Sequence, residues 1–345
     1  MNELVNKASA PGKIILSGEH AIAHGAPALA MAIHKVATTT ISAGALKGVT
    51  FSFPNLNVNH ALTFDELEKY YSVIDQRYEL FKKNKLLITE VLSRPETLIF
   101  YTVMHFFKKV QLTLPRKLAI EVSTDIPINC GLGSSAAIII SLLKNLAHLY
   151  SPSLTSNTLL KLALDCENLQ HGQSSGLDLY MAHHGGCYYF ERKEDVQTNS
   201  AFCHPTPLEL TPNILNNFIF VNTGTAQSHT GECVMAAQPY FDPLLVNKFA
   251  HTTLQFKEGL QSRKQETLLA AVRSNHALLT QIGVVPKKIQ QFISLLEENS
   301  GAGKICGAGS IRGEQAGILL VLSALPSEKL NALCDEFGYA VEPIQ

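Results

Sequence analysis

Three glycine-bearing clusters in this sequence, at 10–18, 129–135 and 301–313, are flanked by extended segments, a spacing that suggests loops gathered at one cleft. Lys13 follows Ala10-Pro11-Gly12 and precedes Gly18-Glu19-His20. Asp125-Ile-Pro-Ile-Asn129-Cys130-Gly131-Leu132-Gly133-Ser134-Ser135 opens onto the apolar run Ile138 to Leu143. Lys304 begins a glycine-bearing stretch that ends in Gly307-Ala-Gly-Ser-Ile-Arg-Gly313. In the second cluster Gly131 and Gly133 tolerate positive φ and let a ligand approach the backbone. Ser134 stands where an N-cap belongs, and Ala136 to Leu143 reads as a buried helix. Free N–H groups at a helix start form an anion site, and two hydroxyls beside them suit a phosphate or a phosphate-bound Mg²⁺. A bare Gly-x-Gly-Ser-Ser also fits an ordinary serine-capped turn, so the companion clusters decide between the two.

The elements that must carry these clusters follow from periodicity and breakers. Lys7 to Leu16 reads as a turn at Ala10-Pro-Gly12 followed by a strand, and Ala21 to His34 as a small-residue helix or turn region. Val36 to Phe53 predicts strand–turn–strand, Phe64 to Leu92 and Glu96 to Val110 helices, and Leu118 to Val122 a strand. The stripe Phe100, Val103, Met104, Phe107 belongs to the core. A helix over Leu154 to Gln170 and a strand over Gly185 to Arg192 follow. The polar stretch Lys193 to Pro212 reads as a linker between domains at 1–200 and 213–345. Beyond it come a strand at Phe218 to Asn222, helices over 231–282 and 286–298, and the glycine-rich segment Gly301 to Gly313. A strand at Gly317 to Leu322, a helix near 327–337 and a strand near 339–343 close an α+β pattern.

Composition narrows the function classes. At 345 residues with 46% hydrophobic content the chain can bury a large core. A net charge of −1 leaves no basic field for nucleic acid. Seven scattered cysteines without C-x-x-C suit reduced thiols and disfavour a zinc site or a disulfide framework. His20 and His24 are four apart, but Gly25 and Pro27 disfavour a helix there and the glutamate precedes the first histidine, unlike H-E-x-x-H. The N-terminus lacks a signal-peptide h-region and the apolar runs are too short to span a membrane, so a soluble cytoplasmic protein is expected. The Walker P-loop, the Rossmann fingerprint and the protein-kinase motifs are absent.

The clusters together resemble the galacto-, homoserine, mevalonate and phosphomevalonate (GHMP) kinase superfamily. Ala10-Pro-Gly-Lys-Ile-Ile-Leu-Ser-Gly-Glu-His20 is similar to its first motif in the mevalonate kinase form, A-P-G-K-x-I-L-x-G-E-H. Pro127 to Ala137 resembles the second motif, P-x-G-x-G-L-G-S-S-A-A. Glu167 to Asp178 resembles E-x-x-x-H-G-x-P-S-G-x-D, and Lys304 to Gly309 the start of K-x-T-G-A-G-G-G-G. Four motifs in family order span positions 10 to 313. The departures are Asn129 for the first glycine of the second motif, Ser174 for proline and Leu179 for the asparagine after the acidic residue. Ser310, Ile311 and Arg312 also replace glycines of the third motif, and Arg312 could there offer charge to phosphates.

The resemblance implies a two-lobed GHMP-kinase fold of the α+β class, with an N-terminal lobe of the ribosomal-protein-like α/β type, a C-terminal ferredoxin-like α+β lobe and the site between them. It implies an ATP- and Mg²⁺-dependent kinase acting on the C5 hydroxyl of mevalonate, with another small alcohol of the same fold, or an inactive ligand sensor, as rivals. By residue, Asp178 matches the acidic group held to take the hydroxyl proton, and Lys13 the lysine that pairs with that carboxylate and lies near the transferring phosphate. Ser135 and Glu167 match metal ligands, and Asn129, Cys130, Gly131, Leu132, Gly133, Ser134 and Ser135 the triphosphate loop. Thr124 and Asn55 match nucleotide contacts more loosely. His20, Glu19 and Thr230 match the mevalonate side. Mevalonate kinases are often dimers, so a homodimer is a further expectation.

Overall fold

Strands β1 (Asn6–Ser17) and β2 (Ala28–Ala43) each contribute residues to two compact units of the chain. The computed structural model describes residues 5–128, 130–191, 204–210, 218–323 and 325–342. One unit is built from Met1–Gly12, Lys35–Ile126 and Gly133–His184, the other from Lys13–His34, Pro127–Leu132 and Gly185–Gln345.

In the first unit, β3 (Gly48–Phe53), β4 (Val58–Leu62) and β5 (Lys117–Thr124) join the second half of β2 in the order β4-β3-β5-β2. The β3–β5 pair is parallel, because α1 (Phe64–Lys82) and α2 (Thr97–Lys109) lie between them in sequence; the other pairs are antiparallel. Helix α1 starts at a capping box, Thr63 with Glu66. Helix α2 is buried from Thr97 to Phe107, the expected stripe Phe100, Val103, Met104 and Phe107 included, and packs on α1, α3 (Ser134–Tyr150) and α4 (Ser156–His171). Helix α5 (Leu177–His184) closes this unit against α3 and α4.

In the second unit the first part of β2 pairs antiparallel with β6 (Cys187–Glu191), and β6 with β7 (His204–Pro207). A separate antiparallel sheet has the order β11-β8-β10-β9. Its strands are β8 (Ile219–Asn222), β9 (Ala302–Ile305), β10 (Ile318–Leu322) and β11 (Ala340–Val341). Helices α6 (Thr230–Ala237), α7 (Pro243–Ser262), α8 (Gln265–Gln281), α9 (Lys287–Glu298) and α10 (Ser327–Phe337) belong here. Phe249, Phe292, Ile293, Leu319 and Val321 lie at the centre of its apolar core.

The structure corrects several expectations. Pro11 does not break β1; an edge strand tolerates a missing N–H, and β1 pairs only with β2. The region Ala21 to His34 is a single 3₁₀ turn, Ala21–His24, followed by β2 from Ala28 onward. The cap of α3 is Gly133 at φ 70°, not Ser134, which is the first helical residue. Within the expected linker, His204–Pro207 is a strand, while 193–203, 211 and 212 lie outside the described residues. Lys304 sits on a buried strand where a glycine-rich loop was expected.

Helix α3, which emerges from the glycine loop, is pinned by polar groups. The fully buried Asn145 donates to the Thr39 carbonyl (2.6 Å) and the Asn6 carbonyl (3.2 Å), and accepts from Asn6 Nδ2 (2.7 Å). Ser141 and Thr39 share a buried hydroxyl contact at 2.9 Å. The six cysteines among the described residues are buried and form no disulfide. Replacing Asn145→Ala strands the buried Thr39 carbonyl and should lower the unfolding free energy in urea by about 1–3 kcal/mol with the slope unchanged.

Candidate active site

Lys13, on the inner half of β1, is only 4% exposed. Its backbone N–H donates to the Leu132 carbonyl at 2.9 Å and its Nζ to the Gly131 carbonyl at 3.2 Å. The first and second motifs thus meet inside one unit, with an ammonium held against the loop expected to take phosphates. The same loop abuts the third motif. Gly131 (φ 79°) and Gly307 (φ 100°) pass so close that a Cβ on Gly131 would collide with the Cys306 carbonyl, and one on Gly307 would lie 3.0 Å from Gly131 Cα. Only glycine fits both the torsion and the space. Next to it, Ile318 N donates to the Cys130 carbonyl at 3.3 Å. The loop then ends at Gly133, and α3 begins without a side-chain cap, which leaves its first-turn N–H groups for a ligand.

Glu19 and His20 occupy different environments. Glu19 is 1% exposed and its carboxylate meets the Nζ of Lys304, a residue fully buried on β9. Lys304 also donates to the Ile15 carbonyl (3.2 Å), and Asn275 on α8 donates to Glu19 (3.3 Å) and to Ser17 Oγ (3.2 Å). Ser17 Oγ in turn lies 2.8 Å from Thr253 Oγ1 on α7. His20 follows at φ 58°, a left-handed torsion rare for a residue with a Cβ. Its Nε2 is 3.0 Å from the Ala308 carbonyl. A carbonyl only accepts, so Nε2 carries the proton and Nδ1 offers a lone pair; Nδ1 is buried with no hydrogen-bond partner. Burial, with help from His24 and against the Ala308 bond, lowers the His20 pKa to about 4, so the ring is neutral at pH 7.

In the other unit, Glu167 near the end of α4 is 2% exposed, which removes the alternative of a solvated helix residue. It accepts from Ser174 Oγ at 2.6 Å, and that hydroxyl accepts from Gly176 N at 3.1 Å. Asn168 Oδ1 accepts from Ser174 N at 2.8 Å. These bonds fix the turn that launches α5, where half-buried Asp178 lies in the first turn. Ser135, in the first turn of α3, donates to Gln170 Oε1 at 2.6 Å. Gln170 is three residues beyond Glu167 on α4, so the two side chains share one helix face. A carboxylate and a hydroxyl are thereby brought to the same stretch of α4, an oxygen donor set that suits a hard divalent cation.

The remaining candidates divide. Asn55 and Thr124 are brought together: Asn55 Nδ2 donates to the Thr124 carbonyl and Thr124 N to Asn55 Oδ1, both at 2.8 Å. Thr230 is exposed and is the first residue of α6, with His229 rather than Thr230 as the cap. Asn129 lies outside the described residues. Arg312, expected as a possible phosphate charge, binds Glu232 instead at 2.6 Å.

Residues 97–186 match the profile of the GHMP kinases N terminal domain. The chain is 27% identical over 322 residues to the mevalonate kinase of Thermococcus sibiricus, which covers 88% of this chain and 86% of that one. The chain therefore resembles the GHMP kinases over 97–186 and mevalonate kinases over most of its length. The fold is shared with the Methanococcus jannaschii mevalonate kinase (TM-score 0.72, 20% identity, 99% and 97% of the two chains covered). It is shared equally with a Streptococcus pneumoniae phosphomevalonate kinase solved with phosphomevalonate and AMPPNP (TM-score 0.72, 18% identity, 97% and 98% covered).

Three residues stand out that sequence reasoning did not place in the site. Lys304 neutralises Glu19, Asn275 ties Glu19 to Ser17, and Gln170 orients Ser135. A lysine embedded in an apolar strand is a signal that it has a buried partner, but the partner lies 285 positions away. Asn275 and Gln170 carry no comparable signal.

The histidines give a pH test. Burial lowers His20, His183 and His276 to about 4, assisted by Lys144 and His184 at His183 and by Lys304 at His276. An unfolded chain titrates these rings near 6.5, so it binds protons that the fold refuses as pH falls. Stability is therefore complete above pH 6.5 and is lost as pH drops from 6.5 towards 4. Tm measured by calorimetry should fall through that window, and His20→Gln should reduce the slope; a Tm constant from pH 7 to 5 contradicts the assignment.

Proposed function

We propose that this chain is a mevalonate kinase, transferring the γ-phosphoryl group of ATP to the C5 hydroxyl of mevalonate to give 5-phosphomevalonate and ADP. One observation carries the reading: the Lys13 ammonium is bonded to the Gly131 carbonyl, in the loop that precedes the uncapped α3 in sequence. Phosphoryl transfer needs positioning and charge stabilisation more than covalent chemistry from the protein. The N–H groups after Gly133 cradle phosphate oxygens, and Lys13 stabilises the charge that spreads over the transferring group.

Asp178 orients the alcohol and accepts its proton as the new P–O bond forms. The turn fixed by Glu167 and Ser174 gives that carboxylate a set direction. His20 offers Nδ1 as an acceptor to a hydroxyl donor of the substrate, which selects an alcohol with a second polar group over a simple one. Ser135 and Glu167 are the residues that would hold a divalent cation, Mg²⁺ with ATP. When bound, such an ion neutralises phosphate oxygens and favours in-line geometry.

The relatives named mevalonate kinase and the Gly18-Glu19-His20 sequence support mevalonate as the substrate. The equal fold match to a phosphomevalonate kinase supports a second reading, in which the alcohol already bears a phosphate. Measuring ADP release with Mg²⁺–ATP and mevalonate, phosphomevalonate or galactose decides between them, and no release with any alcohol overturns both. In the active case Asp178→Asn should lower kcat by about 10²–10⁴-fold and Lys13→Met by about 10²–10³-fold. ATP binding by calorimetry should survive in Asp178→Asn, whereas undiminished turnover in that variant would remove the assigned role.

A further inference from the structure

The third-motif loop departs from glycine at Ser310, Ile311 and Arg312, and its contacts run to the start of α6. Ser310 is 1% exposed; its Oγ donates to the Arg312 carbonyl at 2.6 Å and lies 3.0 Å from Ser228 Oγ. Ser228 N donates back to Ser310 Oγ at 3.3 Å, and Ile311 N donates to Ser228 Oγ at 3.1 Å. Farther along, Arg312 Nη2 donates to Glu232 Oε2 at 2.6 Å, and that same oxygen accepts from His229 N at 2.9 Å. Cys233 Sγ reaches the Gly309 carbonyl at 3.6 Å. A buried hydroxyl pair and a partly exposed ion pair thus grip residues 228–233, the segment that contains Thr230.

A glycine loop could form neither the Ser310 hydroxyl bonds nor the Arg312–Glu232 pair. Their direction also matters: a guanidinium engaged with Glu232 is committed to α6, and a buried Ser310 hydroxyl with donor and acceptor partners is satisfied within the protein. We propose that Ser310 and Arg312 form a clasp that fixes the first turn of α6, and that they are positioning residues for the alcohol substrate rather than ligands of the triphosphate. The clasp acts through Ser228 and Glu232 on Thr230, and it rests on the alcohol-kinase reading above.

The test uses the full chain with Arg312→Ala, Glu232→Gln, their double variant and Ser310→Gly. Each is assayed for kcat, for KM of mevalonate and of ATP, and for hydrogen exchange of the amides in Thr230–Ala237. An ion pair of this exposure corresponds to about a two- to fivefold rise in the KM for mevalonate in either single variant, with the ATP KM unchanged. The double variant should be no worse than the singles, because both break one contact. Raising the salt should reproduce the effect in the parent and not in the double variant. Ser310→Gly should raise the same KM and speed exchange in α6, and Arg312→Lys should recover part of the loss. A raised ATP KM in Arg312→Ala with none in Glu232→Gln would make Arg312 a phosphate ligand and overturn the clasp, as would unchanged exchange in all four variants. Should the parent release no ADP with mevalonate, the function proposal falls, while the exchange comparison still decides the clasp.

Discussion

Burying Lys304 against Glu19 is the constraint on which the second unit depends. Two charges removed from water recover their hydration only if each finds a partner and further hydrogen bonds, and here they do: Lys304 adds the Ile15 carbonyl, and Glu19 adds Asn275. Loss of one partner from such a pair typically costs about 3–5 kcal/mol, because the other charge is left stranded. The pair ties β9 and α8 to the end of β1 and to the turn at Gly18, and Ser17 extends the tie to α7 through Thr253. It thereby holds the backbone rigid between Lys13 and His20, and a left-handed His20 persists because its surroundings leave it no other conformation.

The first unit holds its turn with hydroxyl bonds to a buried carboxylate rather than with an ion pair. The turn between α4 and α5 is held by a hydroxyl relay from Glu167 through Ser174 to Gly176. Where the family pattern has proline, which would restrict the turn through its ring, this chain has a serine that restricts it through hydrogen bonds. The His20 tautomer, by contrast, depends on the ring staying neutral.

Much of this was legible in the residues. Glycine spacing located the loop at 131–133, and helical periodicity located α2, α4, α9 and α10 to within a few positions. The misreadings have local causes. Pro11 and Gly12 look like punctuation, yet an edge strand absorbs them. Small residues over 26–34 have no strong period, and pairing with β6 makes part of them a strand. Ser134 has the side chain of a cap, but Gly133 has the torsion of one. The site partners Lys304, Asn275 and Gln170 could not be read locally, because each acts across a long sequence separation or through an unremarkable polar type. Arg312 carried the right charge and the wrong assignment, since nothing in the loop's own sequence announces Glu232.

The cysteines described above add a property of a different kind. Burial raises the thiols of Cys166 and Cys187 to about 12 and those of Cys306 and Cys334 to about 11, so none is a thiolate while the fold stays shut. Cys166 belongs to the first unit and Cys306 to the second. Alkylation at either position thus requires its surroundings to breathe, and the chain carries a native chemical clock for the opening of each half.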